Sequence, residues 1–350
     1  MNTSRTLLAT AIAFALGSGS AIGGPNTSSV QGSGGGNYST TTTTGSTGDS
    51  AIDIYQVGEG TGASDAERNR AIVTQGAASQ TARIGQGATY DAPDWTAGTA
   101  TKGNVATITQ SGGAGSTASV FQNGGTNTAS VTQSGTGIKT VTMTQGAGTN
   151  VATLTQSGDG AHGATITQSG SSTLNALSTQ SGANANTLTL TQTGGTARVN
   201  QDGSGGHTAT LTQSNGSLTV NQTGGGAGVL GNQATVTALS GAGSSLTINQ
   251  SGIKGQVTVD SMSGGTAAFS QSGESNTLTA TNVSQGSVIV LQSGDNTVAT
   301  LAHTGTGTGN LTQSGDYQSA QFSGTSANSF TGTYSINGTA AAPANIVANY

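Results

Sequence analysis

The chain has 350 residues, with 59 Gly, three Pro, no Cys, and only 6% charged and 3% aromatic side chains. Glycine far exceeds its usual share of about 7%, and bulky apolar residues are too sparse for one thick globular core. A formal net charge of −5 without any basic run gives nucleic-acid binding no electrostatic support, and the absence of cysteine removes disulfides and thiolate metal sites.

Residues 1–5 form a short n-region with one positive charge, and residues 6–16 form an apolar run. Gly19, Ser20 and Ala21 supply small residues for cleavage after Ala21. This is the pattern of a secretory signal peptide over residues 1–21. The run is too short to cross a hydrocarbon core of about 30 Å, and no second run of that length follows. A secreted chain that does not span the membrane is therefore expected. Residues 22–49 are rich in Gly, Ser and Thr, and read as a flexible, disordered leader placed where an export address would lie.

Repeating units occupy residues 50–323. The first carry Ser50, Ile52, Ile54 and Gln56; then Asn69, Ala71, Val73 and Gln75; then Ala82, Ile84 and Gln86. An irregular insertion over residues 88–102 contains Tyr90, Asp91, Asp94 and the single Trp95. From Asn104 the array is nearly continuous. Asn104, Ala106, Ile108, Gln110 and Gly112 return as Asn127, Ala129, Val131, Gln133 and Gly135, and again as Asn150, Ala152, Leu154, Gln156 and Gly158. Looser copies between them end at Gln122 and Gln145. The Gln positions continue at Gln168, Gln180 and Gln192 in steps of 11 or 12, then at Gln201, Gln213 and Gln222, where two steps shrink to nine. Residues 224–239 are disturbed and carry Ala238 where Gln is due. Gln250, Gln271, Gln292 and Gln313 follow at intervals of 21, with Ser261, Asn282 and His303 in the half-step slots. Residues 324–350 read as a cap or tail, with a last strand over residues 329–336.

Within a unit the odd positions are Ala, then Val, Ile or Leu, then Gln; the even ones are mostly Thr and Ser. Such alternation over five to seven residues is a strand with one buried face. Each unit ends in Ser-Gly, Gly-Gly or Asn-Gly, which turn easily. Two strand–turn units make one coil of 21–24 residues, and stacked coils make an all-β solenoid of roughly ten to twelve coils with cross-β character. An inward Gln needs partners. Copies stacked one strand apart supply them, amide to amide, and so fix the register. The eighteen Gln named above, with Asn104, Asn127 and Asn150, are the expected ladder.

Catalysis needs grouped titratable side chains. His162, His207 and His303 fall in different coils, the first two where other units hold Asn, so they read as ladder substitutes. Asp91 and Asp94 sit together only in a loop, the recurring Asp of calcium-binding repeats is missing, and no phosphate-cradling motif occurs. No enzymatic activity, cofactor or metal is expected. Outward Thr pairs such as Thr107/Thr109, Thr142/Thr144, Thr165/Thr167, Thr189/Thr191 and Thr210/Thr212 would line a solenoid face, as on ice-binding solenoids, although Thr also suits any exposed strand position.

The unit Asn-x-Ala-x-x-x-Gln-x-Gly, matched by Asn69/Ala71/Gln75, Asn104/Ala106/Gln110, Asn127/Ala129/Gln133 and Asn150/Ala152/Gln156, resembles the curlin repeat of curli fibre subunits. Ser50, Gln56 and Gly58 are similar to that repeat's Ser-started half. The likeness extends from Ser50 to about Gln321. It implies a secreted functional amyloid that leaves through a dedicated outer-membrane pore, guided by a Gly-rich N-terminal segment, and polymerises from a nucleator into surface fibres and biofilm matrix. The expected function is thus a structural subunit of an extracellular curli-like amyloid fibre, self-assembling through its solenoid ends and open Gln/Asn ladders, whose partners are itself, a curli-type pore and a nucleator. Alternatives are an ice-binding solenoid, a monomeric adhesin stalk, or the nucleator of such a fibre.

Overall fold

The structure is a computed structural model and describes residues 26–44, 49–59, 68–91, 94–97, 101, 103–170, 174–194, 196–214, 216–225, 230–238, 240, 244–261, 263, 266–281, 287–303, 307–324, 330–338 and 344–349. The signal-peptide expectation therefore lies outside the described residues.

Successive strands go alternately to two sheets. Among the described residues sheet A has 14 strands and sheet B has 13, every neighbour parallel to the next. The result is the expected β-solenoid. The register follows the sequence repeat. In sheet B, Ala71, Ala106, Ala129 and Ala152 form one column; Val73, Ile108, Val131 and Leu154 form the next; Gln75, Gln110, Gln133 and Gln156 form the third. All twelve side chains are buried. Each strand thus adds one small, one branched and one amide side chain to a narrow core shared with its neighbours. A branched side chain withdrawn from water there contributes about 1.5–3 kcal/mol. Sliding a strand by one residue would bury Thr and expose the branched residue, so the register is strongly specified.

The turn after each Gln of sheet B explains the recurring Gly. Gly112, Gly135, Gly158, Gly182 and Gly203 stack coil on coil with φ between 85° and 120°. A Cβ added to Gly135 would meet the backbone carbonyl of Gly158. Only glycine meets both demands, left-handed backbone and close approach.

The structure corrects three expectations. The supposed disordered leader contains the strands Thr27–Gly35 and Asn37–Thr43, which pair with Ala51–Glu59 and Asn69–Gln75. A Ser/Thr/Gly segment has no core of its own, but an existing sheet edge supplies the backbone partners, and Val30 packs against the neighbouring core. Within the insertion, read as irregular, Ala88–Asp91 and Asp94–Ala97 form an antiparallel hairpin with Tyr90 opposite Trp95 and Asp91 opposite Asp94. At the C-terminus the expected last strand is Phe330–Gly338, whereas Ala344–Asn349, read as part of a cap or tail, is a further strand that continues the other sheet. The solenoid is longer at each end than the repeat alone indicates.

Candidate functional site: two polarised amide ladders

Sheet B carries eleven glutamines in one column. Each Nε2 donates to the Oε1 of the next, through ten hydrogen bonds of 2.7–3.0 Å linking Gln75, Gln110, Gln133, Gln156, Gln180, Gln201, Gln222, Gln250, Gln271, Gln292 and Gln313. Sheet A carries Gln56, Gln86, Gln122, Gln145, Gln168 and Gln192, joined by five such bonds of 2.7–3.2 Å. Gln213 is next in this column and buried, but its Oε1 accepts no hydrogen bond.

The direction of these ladders is fixed by second partners. The other Nε2 proton usually goes to a backbone carbonyl of the opposite wall: Gln110 to Ser116, Gln122 to Val105, Gln201 to Thr187 and Gln271 to Gln256, at 2.9–3.1 Å. A carbonyl only accepts, so the amide nitrogen must face it. Every rung then points the same way along the axis, donor toward the C-terminal neighbour. Aligned amides polarise one another, and the low-dielectric core strengthens each bond.

Asn104, Asn127 and Asn150 serve differently. They sit just before the alternating run and act mainly on the backbone. The N–H of Asn127 donates to Asn104 Oδ1 at 2.8 Å, and that of Asn150 to Asn127 Oδ1 at 3.1 Å. The column ends there, because Leu174 follows in register, and Asn150 Oδ1 is left without a partner.

A matching column on sheet A was only partly legible. It holds Ser116, Lys139, His162, Asn186, His207, Asn232 and Asn276, all buried. His162 Nδ1 accepts the N–H of Asn186, Asn186 Oδ1 accepts that of His207, and His207 Nδ1 accepts that of Asn232, at 2.9–3.2 Å. The Nε2 atoms of His162 and His207 face the carbonyls of Ser157 and Asp202 at 2.8 and 3.0 Å. These pairings require the neutral ring protonated at Nε2, in which His copies the acceptor and donor of Asn. Burial is the main cause holding both rings below the usual histidine range. Lys139 fits the same column by donating Nζ to the carbonyls of Gly137 and Gly158, both at 2.9 Å; burial lowers its pKa while the Asp159 charge raises it. The signal for Asn186, Asn232 and Asn276 was present in the sequence, since each precedes an alternating strand as Asn104 does.

The half-step slots after residue 224 lose more than Gln. Ala238 and Ser261 have φ of 68° and 71°, so the backbone has left the strand where the amide would sit. Asn282 lies outside the described residues, and His303 stands opposite Gly324 in register. The ladder also stops short of both ends. Gly32 and Thr43 oppose Gln56 and Gln75 at the first coil, and Ile336 opposes Gln313 at the last.

Among the described residues no three His, Cys, Asp or Glu side chains come together. Among them no helix is long and apolar enough to cross a membrane. No family model, curated protein or solved structure matches the chain.

Proposed function

We propose that the chain is a structural subunit of an extracellular, curli-like fibre that grows by end-to-end addition of copies and serves surface adhesion and biofilm matrix. The observation that carries this reading is the state of the four end strands. Thr27–Gly35, Asn37–Thr43, Phe330–Gly338 and Ala344–Asn349 contain no charged residue and no proline. Among the described residues each is the last strand of its parallel sheet, so one row of backbone N–H and C=O groups faces away from the stack. Proteins that stay monomeric usually blunt such edges with Lys, Pro or a covering element. A second copy adds a coil and pairs them. The terminal coils lack a Gln rung, so the ladders hold register inside each subunit, and the joint between subunits rests on backbone pairing.

Export through a curli-type outer-membrane pore and growth from a nucleator belong to the same reading, and are supported by the curlin-like repeat and the apolar run at residues 6–16. The test is to purify residues 22–350 and follow assembly with and without preformed seeds. Fibres with spacings of about 4.8 and 10 Å, extended by seeds, support the reading. A chain that stays monomeric at high concentration contradicts it and favours a stalk.

A further inference from the structure

One face of the solenoid is far more uniform than its fold requires. On the outer surface of sheet A, a column starts at Thr142 and passes through Thr165, Thr189 and Thr210 to Thr300, and it is threonine at all eight positions. Two residues further along the strands, Thr144, Thr167, Thr191 and Thr212 form a second column. These side chains are half-buried or exposed. The strands of this face from Thr140–Gln145 to Val298–His303 carry no Lys, Arg, Asp, Glu, Phe, Tyr or Trp. Sheet B supplies an internal control. Its column at the equivalent position runs from Thr153 through Leu177, Arg198, Thr219, Thr247 and Ala268 to Ile289, threonine at three of seven positions. A general preference for Thr in exposed strands acts on both faces equally, so it does not explain the uniformity of one.

We infer that the threonine face of sheet A packs against the same face of a second copy of this chain. An unrelated protein partner would need an aromatic or arginine anchor, and the face offers none. A repeated, uncharged, β-branched ladder is the surface that two paired sheets interdigitate, with identical side chains facing each other at every rung. Stiff χ1 angles reduce the ordering cost, and the threonine columns themselves carry no charge, the exposed Asp260 lying just past Gln256–Thr258. Six strands with five residues each and the two three-residue strands Gln256–Thr258 and Thr277–Thr279, at about 4.8 Å per strand and about 3.3 Å per residue, give a face of roughly 570 Å², about seven-tenths of the approximately 800 Å² per partner of a standard stable interface. The pairing deepens the fibre reading by adding a lateral contact, but it also applies to single subunits.

The test compares the wild-type chain with Thr165→Lys/Thr210→Lys/Thr258→Lys on sheet A and with Thr153→Lys/Thr219→Lys/Ala268→Lys on sheet B. The sheet A lysines stand on every second rung, about 10 Å apart, where mutual repulsion is weak at moderate salt. Circular dichroism confirms that each variant keeps its strands. Sedimentation of the soluble chain and filament width by electron microscopy are then read together. The expected result is dimers and paired filaments for wild type and the sheet B variant, with dimerisation at least about tenfold weaker and single filaments for the sheet A variant. Equal pairing in the two variants, a wild-type chain that never pairs, or a monomer that shapes ice through this face each overturns the inference. Dimers without filaments refute the fibre reading and leave the inference standing; single filaments of wild type do the reverse.

Discussion

A buried glutamine here is held by an acceptor and donors at once, and its neighbours depend on it. Replacing Gln201 by Ala removes the bonds to Gln180, Gln222 and the Thr187 carbonyl. It leaves at least one buried donor and one buried acceptor unsatisfied, each costing about 1–3 kcal/mol. We expect about 2–4 kcal/mol of local destabilisation, read as faster amide exchange in the coils around residues 180–222. Unchanged exchange would refute the ladder as a stabilising device. Gly135→Ala should cost about 1–3 kcal/mol, because φ is 89° and the Cβ meets the Gly158 carbonyl; a melting curve checks it. The histidines give a pH dependence. Both folded pKa values lie below the unfolded value of about 6.5, so the unfolded chain binds protons first as pH falls. Stability is full above about pH 6.5 and is lost as pH drops toward the lowered folded values. The charges nearby differ: Lys139 pushes His162 further down, whereas Asp202 opposes the shift at His207. His162→Asn and His207→Asn should each reduce the acid sensitivity of the melting temperature, with little change at pH 7.5. Equal acid sensitivity in wild type and the double Asn variant would show that the rings are not the titrating groups.

At the scale of the strand, alternation made most of the structure legible. Ala106, Ile108 and Gln110 point inward because period-two patterning leaves them no other arrangement, and every Gln of residues 75–313 on sheet B stands in the expected column. What the sequence concealed was context. Residues 27–43 have a composition that forms nothing alone, yet a strand edge templates them. Asn and Gln look interchangeable as amides, but the shorter Asn side chain, placed at a strand start, accepts the next strand's backbone N–H on its Oδ1, and the Asn127 Oδ1 accepts from the Asn150 amide as well. The missing rungs at Ala238 and Ser261 show as a change of residue, while the accompanying turn of the backbone does not. The end strands carry a prediction of their own. Thr42→Lys and Val347→Lys place charges in the first and last coils, the one at an exposed threonine and the other in register with the exposed Gln321. Together they should slow seeded elongation about tenfold or more without altering the melting temperature, because edges tolerate charge poorly when another strand must join them. Elongation at the wild-type rate would exclude growth through these strands.

Across the whole molecule, two continuous sheets and their inner columns make a one-dimensional object in which each coil is stabilised by its neighbours. Such an object has two kinds of surface, its sides and its ends. The amide ladders are interior and give register, the Thr face is lateral, and the uncovered strands are terminal. In the proposed fibre a subunit enters as a finished stack of coils, joined by its ends. Its axial length follows from 14 strands in the longer sheet, about 65 Å at roughly 4.8 Å per strand. Mass per length of the assembled fibre, measured by scanning transmission electron microscopy, tests this most directly. End-to-end stacking gives one chain per about 65 Å of filament, or two where filaments pair. A value near one chain per 4.8 Å, as in a fibril where every chain forms a single flat layer, would contradict it.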